Sequence, residues 1–447
     1  MEPARTSGIL ARVRPPGPGA GAALPRARRS AVIHYDPLSD EIRDDPLPLY
    51  ARLRRESPVH YVERFDSWAL SRFEDVWNVG QDPATFASPG PVPELLLLEE
   101  QGLMPAGGGG LFEERDSIFN LNPPEHTHVR RRLAPLFTAQ RLAGIEPRLR
   151  ESVRGLLAQA LPKGRLDAIG DLAGRVSVRA ACLLIGLPEP DADELGRLVA
   201  RFFARVPSVQ GMPPDAIAAA VEISEYLLRA VEARRRRGVG DADATDVFLR
   251  LELGGRPLTD RQVATHLMTL LNGGTETLPK VFAGGVLQLH RHPEQRALLV
   301  ADPRRIPDAF TEIARYEMPT NYLTRAVARE VELHGKRLTP GQGVMLLYRS
   351  ANRDEREFAD PDRFDIQRRA PRTLAFGHGT HVCLGQHVAR LEARIMTEEL
   401  LAAVPDYAID EHQVVPARSE FVAGYLSVPI EFTPRAAPRA WEAAAQR

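Results

Sequence analysis

Phe376-Gly377-His378-Gly379-Thr380-His381-Val382-Cys383-Leu384-Gly385 is the stretch on which the reading of this chain turns. It sets Cys383, one of only two cysteines, among three glycines and just ahead of a helix-like run over residues 386–400. Backbone N–H groups and the dipole at a helix start favour a thiolate over a thiol. Gly377, Gly379 and Gly385 lack a Cβ, so they can take positive φ and let the backbone wrap closely round a sulfur or lie near a flat ligand. N–H groups aimed at the sulfur would then tune its donor strength. Zinc fits poorly, because no second cysteine lies near and His378, His381 and His387 lack the usual paired spacing. Two readings stay open on the residues alone: a buried structural cysteine beside a turn, or the axial thiolate of a haem iron, which promotes O–O cleavage.

Composition narrows the field around that loop. The 447 residues are enough for a large core, so a small disulfide-stapled module is excluded. Lys+Arg 58 against Asp+Glu 59 leaves a net charge of -1, with no global positive field to draw nucleic acid. Two cysteines in so long a chain fit a reducing, cytoplasmic compartment, with Cys182 a core residue of the apolar run 180–185 rather than a bridge to Cys383. No apolar run approaches the roughly 20 residues of a membrane span, so no membrane anchor is expected. Residues 1–33 are dense in Pro, Gly, Ala and Arg, and a disordered tail is expected there. Pro15, Pro16, Pro18 and Pro25 argue against the amphipathic helix of a transit peptide.

Along the chain, residues 47–171 alternate helical patterns with turn signals, and a loop-like stretch at 88–122 contains Gly107-Gly108-Gly109-Gly110. Residues 176–298 are helical in pattern. Thr259-Asp260-Arg261-Gln262 has the form of a capping box, which predicts a long helix from Thr259 past Thr277. Short strand-like pieces follow at 331–333, 343–348 and 413–432, with a turn at Pro340-Gly341. The expected fold class is mainly α with a small β region.

Inside the long helix stands Gly273-Gly274-Thr275-Glu276-Thr277-Leu278-Pro279. Each glycine weakens a helix by about 1 kcal/mol relative to alanine, and Pro279 removes a hydrogen bond. Such damage suits a place where a ligand approaches the backbone or the helix opens. The adjacent acid and alcohol, Glu276 and Thr277, can pass protons with water completing the chain.

The ten-residue loop resembles the haem-binding loop of the cytochrome P450 family, Phe-Gly-x-Gly-x-His-x-Cys-x-Gly, and Gly273-Gly274-x-Glu276-Thr277 resembles that family's acid–alcohol element, with Leu278 where a second Thr is common. The resemblance implies the cytochrome P450 fold over residues 34–434, with 435–447 a C-terminal tail. It implies haem b as cofactor, Cys383 as the proximal iron ligand, His381 on a haem propionate and Phe376 shielding the sulfur. Gly273 and Gly385 join the cofactor-contacting set, and Glu276 and Thr277 become the catalytic pair. Pro123-Pro124-Glu125-His126-Thr127-His128-Val129-Arg130 is similar to the segment whose His and Arg contact propionates, which selects His126 and Arg130, while His128 stands where many relatives have Arg. Arg325 falls where the family places another propionate-binding arginine. Glu312-Ile313-Ala314-Arg315 resembles a structural Glu-x-x-Arg element, and Pro361-Asp362-Arg363-Phe364 the segment that supplies it a second arginine. Ala351-Asn352-Arg353-Asp354 is again similar, with Glu355 replacing a frequent Pro.

By that likeness the chain is a haem-thiolate monooxygenase inserting one oxygen atom from O2 into an apolar organic substrate, in secondary or lipid/terpenoid metabolism. No Gly-x-Gly-x-x-Gly site follows a strand, so electrons are expected from a separate ferredoxin or flavodoxin with its reductase. Arg131 and Arg132 suit a basic docking face for that donor. The expected protein is a cytoplasmic monomer. The alternative reading is a catalytically silent homologue serving as a binding or activator subunit, which tends to lose the cysteine or the acid–alcohol pair that this chain keeps.

Overall fold

A computed structural model describes residues 33–102, 117–206, 209–438 and 441. Residues 1–32 of the expected tail and the run Gly107-Gly108-Gly109-Gly110 lie outside the described residues. The described residues from Tyr35 onward pack as one unit.

Helices dominate, and those that frame the site are α1 (Phe73–Gln81), α2 (Pro93–Glu100), α3 (Glu125–Leu133), α4 (Glu146–Ala160), α5 (Gly174–Ile185), α6 (Ala192–Phe203), α7 (Pro214–Arg237), α8 (Asp260–Thr275), α9 (Thr277–Arg291), α10 (Ile306–Tyr316) and α11 (Gln386–Ala403). Helix α8 packs against both α5 and α7. Its buried residues Val263, Ala264, Leu267, Met268 and Leu271 recur at three- and four-residue spacing on one stripe. Burying one such leucine contributes about 1.5–3 kcal/mol. Both arms of the expected capping box form: Thr259 Oγ1 accepts from the Gln262 N–H at 3.2 Å and Gln262 Oε1 accepts from the Thr259 N–H at 3.0 Å.

The helix predicted to pass through Thr277 is broken. It stops at Thr275, and α9 starts at Thr277, with Glu276 between them at φ -98°. Pro279 has no N–H to offer the Thr275 carbonyl, while the Thr275 and Thr277 hydroxyls back-bond to Leu271 O at 2.8 Å and Gly273 O at 3.4 Å. Such back-bonding bends a helix where two glycines already weaken it.

Five strands form one sheet: β1 (Val59–Val62), β2 (Ser67–Leu70), β3 (Phe86–Ala87), β4 (Leu323–Val327) and β5 (Gly343–Leu346), in the order β1-β2-β5-β4-β3. Strand β5 is parallel to β2, antiparallel to β4 and buried at all four positions, as expected of a central strand covered on both faces. The sequence predicts a strand reaching Tyr348, but Tyr348 opens the short helix Tyr348–Ala351 instead. Strands β1 and β2 were not legible, because two four-residue strands show too little period-2 pattern and the partner of β2 lies far along the chain. The stretch at 88–122, expected as a loop, carries α2, which starts with Pro93 in its first turn. Further two-stranded sheets pair Val331–Leu333 with Lys336–Leu338, Val415–Ala417 with Gly424–Ser427, and Arg165–Asp167 with Pro429–Glu431. The small β region is therefore present. Among the described residues no helix is long and apolar enough to cross a membrane.

Near the C-terminus α11 runs along α4, where Glu399 accepts from Arg150 at 2.5 Å and Arg154 at 2.8 Å. It also packs on α10, which α9 approaches closely at Gly285. A Cβ there would lie 2.8 Å from Ile313 Cγ2.

Candidate active site

The cysteine loop is folded by its own backbone and clamped from outside. The Cys383 N–H donates to Phe376 O at 2.8 Å and the Gly377 N–H to Leu374 O at 3.0 Å. Gly377 and Gly379 take the positive φ expected of them, +67° and +72°. Gly385 does not. It sits at φ -82°, where any residue is tolerated, and its contribution is the N–H it donates to the Cys383 sulfur. Burial pushes the Cys383 thiol up, while that N–H and Arg130 pull it down. A bound metal ion would add the charge that makes the thiolate the stable form. Cys182 has no such surroundings: it is fully buried in α5 and driven up to about 12. Both cysteines are free.

Helix α1 presses on this loop. Trp77 stacks on His378 with ring centroids 3.3 Å apart at 14°, and a Cβ on Gly379 would fall 1.9 Å from Gly80 O. Sequence reading did not find Gly80 or Trp77, since nothing local marks them.

Beside the sulfur lies a cluster of nitrogen-bearing side chains with no acid among them. The rings of His126, from α3, and His381, from the loop, are 4.2 Å apart. Burial, and then the guanidinium groups of Arg130 and Arg325, lower His126 to about 4. Burial, with Arg325 the next cause, lowers His381 to about 3. Both are neutral at pH 7. Arg325, on β4, is 6% exposed and donates to Thr324 O at 2.7 Å. Burial lowers both Arg130 and Arg325, and neither has a carboxylate partner among the described residues. Gly90 lets the chain cross Arg325, since a Cβ there would lie 2.4 Å from its backbone. Ser88 follows β3, with its Oγ 3.5 Å from His381 Nε2 and its N–H on Asn122 Oδ1 at 2.9 Å. Those last two residues were not anticipated. His128, Arg131 and Arg132 lie outside the cluster, exposed on α3.

Buried cations without counter-ions are expensive. Two arginines beside the half-buried Cys383 thiol and two neutral imidazoles fit a ligand with two negative groups and a metal, and haem b, with its two propionates and iron, has that charge pattern. The residues present fit the group.

At the helix break, Gly273 and Gly274 are accessible, and nothing lies within 4 Å of a Cβ built on Gly273, so the backbone there faces open space. Glu276 is buried and ion-paired with Lys280, one turn later on α9. Burial pushes the Glu276 carboxyl up and Lys280 draws it back down. Lys280 was missed, although Glu-x-x-x-Lys spacing on a helix is the signal for such a pair.

The Glu-x-x-Arg element is buried rather than exposed. Arg315 Nε donates to Glu312 at 2.7 Å, and Arg315 Nη1 donates to Asn352 O at 2.8 Å and Pro361 O at 3.0 Å. The second arginine is Arg368, whose Nε meets Glu312 Oε1 at 3.2 Å. It is not Arg363 of the expected segment, which is 70% exposed. The chain bends at Asp360, φ +47°, and turns Arg363 outward. Asn352 joins the two regions, its carbonyl accepting from Arg315 and its Oδ1 from the Leu374 N–H at 2.9 Å, just ahead of the cysteine loop.

Comparison with known proteins identifies the family. The Cytochrome P450 family model matches residues 307–404. Vitamin D(3) 25-hydroxylase of Pseudonocardia autotrophica is 32% identical over 408 residues, 90% of this chain and 98% of that protein. The chain belongs to the cytochrome P450 family. Cytochrome P450 130 of Mycobacterium tuberculosis is similarly close, 31% identical over 399 residues, 87% of this chain and 95% of the other. Among solved structures, CalO2 superposes with a TM-score of 0.78 at 32% identity, covering 90% of this chain and all of that one. The fold is the cytochrome P450 fold. The protein is a cytochrome P450 monooxygenase, and the group its family carries is haem b with a thiolate on the iron.

Proposed function

We propose that Cys383 supplies the thiolate of this cytochrome P450, that Arg130, Arg325, His126 and His381 hold the haem propionates, and that the substrate is an apolar organic molecule. The observation that carries the reading is the acid-free cluster of two arginines and two neutral histidines beside the half-buried Cys383.

When bound, haem supplies a thiolate-ligated iron at which dioxygen is reduced and one of its atoms is inserted into a C–H bond. The chain's residues do the rest. The Gly385 N–H tempers the sulfur. Phe376, with the Arg390 guanidinium 5.0 Å over its ring, covers the sulfur's flank. Gly273 and Gly274 leave room on the oxygen side, Glu276 takes up protons, and the Thr277 hydroxyl passes them inward. The balance is RH + O2 + 2 electrons + 2 protons giving ROH + H2O, with the electrons arriving singly from a ferredoxin or flavodoxin served by its reductase. Arg131 and Arg132, exposed on α3, suit an acidic donor.

For the substrate, aromatic and apolar side chains recur where the family builds its pocket: Phe202 and Phe203 edge to face at 4.8 Å, Met212, and Phe421 edge-on to Tyr322 at 6.4 Å. The relative named a vitamin D(3) hydroxylase supports a lipid- or terpenoid-sized molecule. The protein works as a cytoplasmic monomer on this reading.

The reduced protein with carbon monoxide is expected to show the red-shifted Soret band of thiolate ligation, and Cys383→Ser to lose it. With a surrogate ferredoxin and reductase over a panel of apolar substrates, wild type should form oxygenated product. Thr277→Ala should consume electrons but divert them to hydrogen peroxide, with product falling on the order of 100-fold. Unchanged coupling in Thr277→Ala removes the relay. Tight binding with no product on any substrate would favour a silent homologue.

A further inference from the structure

Lys280 sits where neither burial nor helix electrostatics favours a lysine. It is 6% exposed, and it stands in the first turn of α9, the end of a helix that repels cations. A lysine kept in such a place needs a compensating partner. That partner is Glu276, one turn back, the acid proposed above to take up protons. The pair is built rather than incidental. Gly424, at φ +126°, leaves the room that the Lys280 stem occupies, since a Cβ there would lie 2.9 Å from Lys280 Cβ. One other cation acts on Glu276, Arg205, and that guanidinium is committed elsewhere, its Nε donating to Glu420 at 2.7 Å. Lys280 is thus the cation dedicated to Glu276.

We propose that Lys280 is a positioning residue for proton delivery: its ammonium holds the Glu276 carboxyl in one rotamer next to Thr277, so that Glu276 stands ready to accept a proton each time one has passed inward. The inference rests on the relay reading of Glu276 and Thr277. In each transfer a hydronium O–H bond breaks, leaving water, and a Glu276 O–H bond forms. That bond then breaks as the proton moves to the Thr277 oxygen, which releases its own proton inward. Lys280 keeps its three hydrogens throughout. A buried carboxylate without this partner would hold its proton instead, and the relay would stall after one transfer.

The test uses the holoenzyme with its redox partners. Lys280→Met should keep the carbon monoxide spectrum of thiolate ligation while lowering product per electron at least tenfold and raising the solvent deuterium isotope effect. Lys280→Arg, which keeps the charge, should recover most of both. A readout independent of turnover is thermal unfolding across the cycle wild type, Lys280→Met, Glu276→Gln and the double variant. Lys280→Met should melt lowest, and the double variant should recover. If Lys280→Met does not accumulate, Lys280→Gln, which removes the charge and keeps a donor, is expected to show the same rise in isotope effect. Impaired Glu276→Gln alongside fully coupled Lys280→Met would overturn the positioning role. Indifference of both Glu276→Gln and Thr277→Ala would instead overturn the relay itself, so the two failures are distinguishable.

Discussion

Two sets of arginines in this protein solve opposite problems. In the Glu312–Arg315–Arg368 set the charges satisfy one another: Arg315 is fully buried, meets Glu312 through both Nε and Nη2, and spends Nη1 on two carbonyls. In the Arg130–Arg325 set there is no acid among the described residues, and the neighbouring histidines are held neutral. The first set is complete as folded and therefore structural. The second lacks a matching acid among the described residues, which is why the proposed reading gives it to an anionic ligand.

The largest effect should come from breaking the self-sufficient set. Arg315→Ala takes two charged contacts from the buried Glu312 and the shared donor from the carbonyls of Asn352 and Pro361, and a loss of about 3–5 kcal/mol is expected. Thermal or denaturant unfolding would register it with or without haem. Arg325→Ala should behave in the opposite way. It removes a buried, unmatched charge, so the haem-free protein should unfold no earlier than wild type, while haem should leave faster. A loss of about 1–3 kcal/mol in haem binding, on the order of tenfold to a hundredfold, would be read from the rate of haem transfer to an acceptor globin. A haem-free Arg325→Ala protein destabilised as much as Arg315→Ala would erase the distinction between the two sets.

A third buried group sharpens the contrast with the smallest effect. Glu392 in α11 has no cation partner among the described residues; the Ser177 hydroxyl donates to it at 2.6 Å, and burial raises its carboxyl to about 8. Its charge problem is solved by keeping a proton. Because the folded value lies above the ordinary one near 4.5, the folded state binds more protons, so this stability is present at low pH and lost as pH rises through about 8. Glu392→Gln should flatten that decline. The melting temperature of the variant should gain on wild type as pH goes from 6 to 9, by the equivalent of about 1 kcal/mol per pH unit near neutrality, and a constant offset across that range would contradict the assignment.

These three cases also show what a sequence can disclose. The cysteine loop, the capping box at Thr259 and the helix after Gln386 were legible because each is written in consecutive residues with local rules. The arginine that completes the Glu312 set was misplaced from Arg368 to the segment around Arg363, because a left-handed turn at Asp360, not the local motif, decides which side chain points inward. Lys280 went unread because its spacing from Glu276 is equally common on exposed helices, and burial is a tertiary fact. Strands β1 and β2 pair with each other but join the sheet only through β5, which lies at the other end of the chain and pairs with β2.

The contact between Gly80 and Gly379 has a consequence for anyone recombining this protein with a relative. Neither position admits a side chain, because each faces the other's backbone neighbourhood across the interface of α1 with the cysteine loop. For inheritance the two glycines behave as a single locus split between the ends of the chain. A hybrid that exchanges the amino-terminal segment keeps its cysteine loop in shape only if the incoming piece brings a glycine, and the same tilt of helix, to that spot. Crossovers that respect every motif around Cys383 can still fail for a reason written three hundred residues upstream.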